Sequence, residues 1–97
     1  MTIQQTKHGT DLTIALEGRL DTATAPELEA VVKNVGELKG LVFDFANLEY
    51  ISSAGLRVLL GAYKDAAGKY AIRIVNANEI VREVFEVTGF DSILGLD

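Results

Sequence analysis

Cysteine and tryptophan are absent from the 97-residue sequence, and histidine and proline occur once each, as His8 and Pro26. Without thiols there is no disulfide, no thiolate metal site and no cysteine nucleophile, a composition suited to a reducing cytoplasm. The lone imidazole sits in His8-Gly9-Thr10-Asp11, a hairpin-turn sequence in which it reads as solvated rather than catalytic. Basic residues are also few: nine Lys and Arg against 14 Asp and Glu give a net charge of −5. No Lys/Arg cluster exists to neutralise a row of phosphates, which argues against nucleic acid as a partner. No apolar run approaches the ~20 residues of a bilayer-spanning helix, and Met1 to Thr10 lacks the hydrophobic centre of a signal peptide. No metal or cofactor site is expected. A Gly-x-x-x-x-Gly-Lys-Ser/Thr loop is missing, and Gly55, Gly61 and Gly68 are too widely spaced for a nucleotide fingerprint.

What is present is enough for a core. With 48% hydrophobic and 24% charged residues, the chain is expected to form one domain over residues 1–97. Ile3 to Lys7 reads as a short polar edge strand. After the turn, Leu12, Ile14 and Leu16 alternate with Thr13, Ala15 and Glu17, the signature of a half-buried strand; Leu20 lies in phase with it, so the strand continues or bends near Gly18 toward Asp21. Thr24-Ala25-Pro26-Glu27 has the form of a capping box opening a helix, with Leu28, Val31, Val32 and Val35 on its apolar side and Gly36 as its stop.

Leu41-Val42-Phe43-Asp44-Phe45 reads as a central strand covered on both faces, and Asn47 to Ile51 as the connection after it. Leu56, Leu59, Leu60, Tyr63 and Ala67 mark a second helix ended by Gly68, and Tyr70 to Val75 the last strand. Asn76-Ala77-Asn78-Glu79 opens a third helix with Ile80, Val81, Val84 and Phe85 on one face and Gly89 at its end. Within Phe90 to Asp97, Ile93 and Leu94 form a candidate docking turn. Helical crossovers join parallel strands, so the expected fold class is α/β: a mixed four-stranded sheet with helices packed mainly on one face.

The chemistry-bearing segment is Tyr50-Ile51-Ser52-Ser53-Ala54-Gly55-Leu56-Arg57, a small-residue turn between a strand and a helix. Amides at a helix amino terminus and the macrodipole accommodate a phosphate on Ser52 or Ser53. Unmodified, the same serines cap the helix. Ile51-Ser52-Ser53-Ala54-Gly55 also reproduces all but the first glycine of a Gly-x-Ser-x-Gly nucleophile elbow. A hydrolase needs a base held by a carboxylate, and His8 lies in the edge hairpin, so no enzymatic activity is expected.

Glu17-Gly18-Arg19-Leu20-Asp21-Thr22, taken with Phe43-Asp44-Phe45 and Ser52-Ser53-Ala54-Gly55-Leu56-Arg57-Val58-Leu59-Leu60, resembles the STAS family. The likeness is to its single-domain bacterial anti-sigma factor antagonists, and it spans nearly the whole chain. The resemblance implies a phosphoacceptor serine at Ser53 and a partner surface of Asp21, Thr22, Ser52, Ala54, Gly55, Leu56 and Arg57. It also implies the partners: an anti-sigma factor that is a serine kinase with a histidine-kinase-like ATPase fold, and a phosphatase that resets the site. Many members carry Asp-Ser-Ser/Thr-Gly-Leu; here Ser52 stands at the aspartate and Ala54 follows the acceptor. For Asp21, turning the chain is the alternative to a partner role; for Thr24, helix capping is the reading. STAS domains also regulate transporters and stress-signalling assemblies, the competing functional class.

Overall fold

The computed structural model describes residues 1–96. Strands β1 (Thr2–His8) and β2 (Asp11–Leu20) form the expected hairpin, antiparallel with His8 opposite Asp11, and Gly9 at φ +64° completes the turn. Helix α1 (Ala25–Lys33) crosses to β3 (Gly40–Ile51), and α2 (Ser53–Ala66) crosses to β4 (Ala71–Val75). Both crossovers produce parallel pairs, giving one mixed sheet in the order β1-β2-β3-β4. Helix α3 (Glu79–Thr88) and a 3-10 turn (Phe90–Ser92) follow.

Leu12, Ile14 and Leu16 of β2, Leu41, Phe43 and Phe45 of β3, and Ile74 of β4 are buried, while their alternating neighbours are not. The helices therefore cover one face of the sheet. This corrects the expectation that β3 is covered on both sides: Val42 and Asp44 are only half-buried. Nor does β3 stop at Phe45. Ala15 pairs with Asp44 and Arg19 with Tyr50, so four steps along β2 match six along β3. Such bulges break period-2 alternation, which is why Asn47 to Ile51 reads as a loop although Leu48 and Ile51 are core residues.

Other boundaries move for equally local reasons. Helix α1 ends at Lys33, ahead of Gly36, with Asn34 as its carboxyl cap. The buried stripe of α2 runs through Leu56, Val58, Leu59, Ala62 and Ala66, leaving Leu60 half-buried and Tyr63 and Ala67 exposed. Asn78 caps α3 by accepting from the Val81 amide at 2.8 Å, and Gly89 ends it at φ +77°. Val81 and Phe85 are fully buried, but Ile80 is 57% exposed, because one residue turns an α-helix by about 100° and carries Ile80 off the packed face. Beyond the 3-10 turn, Leu94 is buried and Leu96 bridges to Ile74, whereas Ile93 is exposed. The part of the proposed terminal segment at Asp97 lies outside the described residues.

Candidate functional site

The parallel pairing of β2 with β3 brings two segments that lie far apart in sequence to the same end of the sheet. Leu20 is in register with Ile51, and the Ser52 amide donates to the Leu20 carbonyl at 2.9 Å. Asp21 and Thr22 thus leave β2 beside the Ser52 turn that leaves β3. Helix α2 must start close against that junction. Gly55 permits this: a Cβ there would lie 2.6 Å from Leu20 Cγ and 3.0 Å from Ile51 Cγ1.

Ser52 is the N-cap of α2, its extended backbone turning the chain and its hydroxyl accepting from the Gly55 amide at 3.5 Å, a weak bond. Ser53, the first helical residue, is exposed. Ala54 is half-buried and Arg57, one turn further on, is exposed. Gly55 and Leu56 are buried, Leu56 to 2% exposure, so in this structure they anchor the turn and present no side-chain surface. Thr22, Ala54 and Arg57 line a shallow groove of about 220 Å³ with Pro26, Glu29 and Val58, between the amino ends of α1 and α2. Two roles separate here: buried residues position the turn, and exposed ones are available to a partner.

Asp21 organises the preceding turn. Its carboxylate Oδ1 accepts from the Ala23 amide at 3.0 Å and the Thr24 amide at 3.2 Å, and its carbonyl accepts from the Ala25 amide at 2.8 Å. The Thr24 amide, with the Thr24 hydroxyl, the Ala23 amide and the Arg19 guanidinium behind it, holds the Asp21 carboxyl below its ordinary value of 3.8, against an opposing effect of desolvation. The capping box expected at Thr24 does not form. Thr24 has helical backbone angles and its side chain makes no cap bond; its hydroxyl donates to the Arg19 carbonyl at 2.7 Å and accepts from the Asp21 amide at 2.9 Å. Asp21, three residues earlier, takes the Thr24 amide, and the Glu27 amide donates to the Thr24 carbonyl at 3.0 Å.

Arg19 and Tyr50, which lie in the quoted motifs with no role assigned from sequence, belong to the site as well. They are register partners on β2 and β3, and the guanidinium lies 4.5 Å from the centre of the Tyr50 ring. Arg19 Nε is also 3.8 Å from Asp21 Oδ2. Nothing in either local sequence signals the pair; it exists only once strand register is known. His8 lies at the far end of the hairpin, opposite the first residue of β2, roughly 25–30 Å from the Ser53 end at ~3.3 Å per strand residue. Ser53 therefore has no imidazole beside it to act as a base.

The sequence matches the STAS domain family over residues 2–97. The chain belongs to the STAS family. It is 40% identical over 86 residues to a Bordetella bronchiseptica protein provisionally named an anti-sigma factor antagonist, BtrV, covering 84% of this chain and 73% of that one. An anti-sigma factor antagonist from Mycobacterium paratuberculosis superposes with a TM-score of 0.90 at 26% identity, over 98% of this chain and 83% of the other. The anti-sigma factor antagonist SpoIIAA in its unphosphorylated form superposes at 0.83 with 20% identity, over 99% and 88% of the two chains. SpoIIAA of Bacillus in its phosphorylated form superposes at 0.74, also at 20% identity, over 99% and 91%. The STAS fold of four mixed strands and three helices is thus common to this chain and to those structures.

Proposed function

We propose that this STAS domain is a cytoplasmic anti-sigma factor antagonist switched by phosphorylation of Ser53. Unphosphorylated, it binds an anti-sigma factor through Asp21, Thr22 and the Ser52 to Arg57 turn, and a sigma factor is freed; phosphorylated, it releases that partner. The observation that carries the reading is the exposed Ser53 hydroxyl at the amino end of α2, next to the Asp21 turn. The names of the relatives support its antagonist part.

Ser53 is the acceptor and not a catalyst. Its hydroxyl oxygen forms a bond to the γ-phosphorus of ATP, the bond from that phosphorus to the β,γ-bridging oxygen breaks, ADP leaves, and the hydroxyl proton passes to a base supplied by the anti-sigma kinase. A phosphatase reverses the modification by hydrolysis. The new group carries about −1.5 to −2 charges. One such charge about 4 Å from a partner carboxylate costs on the order of 4 kcal/mol at an effective dielectric of ~20, and ~2.7 kcal/mol already weakens binding about a hundredfold. The first-turn amides of α2 have no acceptor within the helix, so a phosphate is accommodated without unfolding the domain.

Incubation with the cognate anti-sigma kinase and ATP is expected to add one phosphate to wild type and to Ser52→Ala, and none to Ser53→Ala. Equal labelling of Ser53→Ala overturns the assignment. In a pull-down, Ser53→Asp is expected to lose the anti-sigma factor that wild type and Ser53→Ala retain; tight binding by a folded Ser53→Asp overturns the switch.

A further inference from the structure

Ser53 and Arg57 are four residues apart on α2 and both are exposed. In an α-helix such pairs have Cβ atoms about 5–6 Å apart. Cα–Cβ bonds tilt toward the amino end, so a long side chain leans back over the preceding turn. For Arg57 that turn is the one headed by Ser53, and Ala54 beside it is too small to compete for the space. Arg57 forms no ion pair or hydrogen bond among the described residues.

The surrounding charges narrow the choice further. Arg19, at the end of β2, has its guanidinium over Tyr50 of β3 and near Asp21. Asp21 is engaged by the amides of its own turn. Glu29 of α1 lines the groove opposite Arg57, and its carboxylate lies 3.7 Å from Lys33. Among the described residues, Arg57 is thus a cation with no ion pair or hydrogen bond, on the helix that carries the acceptor.

We infer that Arg57 is the internal clamp of phospho-Ser53, its guanidinium folding back along α2 to pair with the phosphoryl oxygens. The inference rests on Ser53 as the modified residue. A guanidinium presents a donor fork that matches phosphate geometry, and the pair spans a single helical turn, so no backbone movement is required. Phosphorylation then withdraws Arg57 from the groove between α1 and α2 at the same moment that it adds negative charge. The partner loses a cation and meets an anion.

The test installs phosphoserine at position 53 of the full chain by genetic-code expansion, so that no kinase is needed, and follows the phosphate by phosphorus NMR across pH. A free phosphoserine titrates near ~6. A cation about 4 Å away in aqueous surroundings lowers such a pKa by about 0.7 unit, trimmed to about 0.5 by physiological salt. Wild type is expected to titrate about 0.5 unit below Arg57→Gln, with Arg57→Lys between them and closer to wild type. Coincident curves for wild type and Arg57→Gln overturn the clamp. Failure of the kinase to label Ser53 would instead overturn the switch, and would leave this titration unchanged.

Discussion

Two glycines in α2 should respond to the same substitution with opposite signs. Gly61 lies on the exposed side of the helix with nothing within 4 Å of a built Cβ. Replacing it by alanine restricts the unfolded chain and is expected to stabilise the domain by ~0.5–1 kcal/mol. Gly55 meets Leu20 Cγ at 2.6 Å, Leu20 Cδ2 at 2.9 Å and Ile51 Cγ1 at 3.0 Å. Leu20 and Ile51 are both fully buried, and neither is a flexible chain end that could swing aside. Overpacking of this kind costs ~1–3 kcal/mol, from which the helix-propensity gain of ~0.5–1 kcal/mol must be taken. Gly55→Ala should therefore be destabilised by about 1 kcal/mol, and by up to about 2.5 kcal/mol.

Urea unfolding at pH 7 measures both. With a slope of ~1–3 kcal/mol per molar, the midpoint of Gly55→Ala should fall and that of Gly61→Ala rise while the slope stays constant. In thermal scans about 1 kcal/mol corresponds to ~4–8 °C for a domain of this size. If Gly55→Ala matched or exceeded wild type, α2 would not sit as close to the β2–β3 junction as the structure has it. The placement of the Ser53 turn would then need another cause. Because the Leu20 carbonyl also accepts from the Ser52 amide, displacement of Leu20 should additionally raise hydrogen exchange at Ser52.

Three further outcomes are expected. Asp21→Asn should be less stable than wild type at pH 7: the Asp21 carboxyl has a folded value below 3.8, so its contribution is complete above that pH and lost as pH falls through the folded value. The gap between the denaturation midpoints of the two proteins should therefore narrow as pH is lowered from 7 to below 3.8. Thr24→Val removes the donor to the Arg19 carbonyl and the acceptor for the Asp21 amide, and should cost about 1–3 kcal/mol in urea unfolding. Asn78→Ala removes both the α3 cap and a bond to the Leu48 carbonyl at 3.0 Å. It should cost ~1–2 kcal/mol, read as a lower melting temperature.

The parts legible in the sequence are those written in short-range periodicity. Leu12, Ile14 and Leu16 alternate, Val81 and Phe85 repeat at helical spacing, and Gly68 and Gly89 stand where helices end; all of these translate directly into structure. The readings that failed depend on competition or on register. Thr24 has the right neighbours for a capping box, but the Asp21 carboxylate takes the Thr24 amide that Glu27 would have capped, the Glu27 amide donates to the Thr24 carbonyl, and the threonine hydroxyl ties the turn to Arg19. The far half of β3 was hidden because two extra residues shift its inward positions from Phe45 to Leu48 and then Ile51. Arg19 and Tyr50 could be paired only after that register was known. At the candidate site the turn itself was visible; which of its residues face solvent was not, since Gly55, Leu56 and Arg57 differ by rotation around one helix.

The same distinction bears on Ser52. Aspartate, common at this position in the resembling family, and serine are near-equal N-caps, and here the serine hydroxyl faces the Gly55 amide while its backbone amide reaches Leu20. Either side chain can head α2, so the substitution leaves the local fold intact. What changes is charge: an ionised carboxylate beside Ser53 would favour the helix amino terminus by ~0.3–1 kcal/mol and would repel a phosphate on the adjacent residue. Its absence leaves Asp21 as the carboxylate of the two turns. With serine at position 52, a phosphate on Ser53 has one fewer anion to oppose it and Arg57 within one helical turn to pair with it. Under the proposed switch, the departure from the family pattern would therefore act on the balance of the phosphorylated state and on the surface offered to a kinase, while the position of Ser53 is kept by Gly55, Leu20 and Ile51 beneath it.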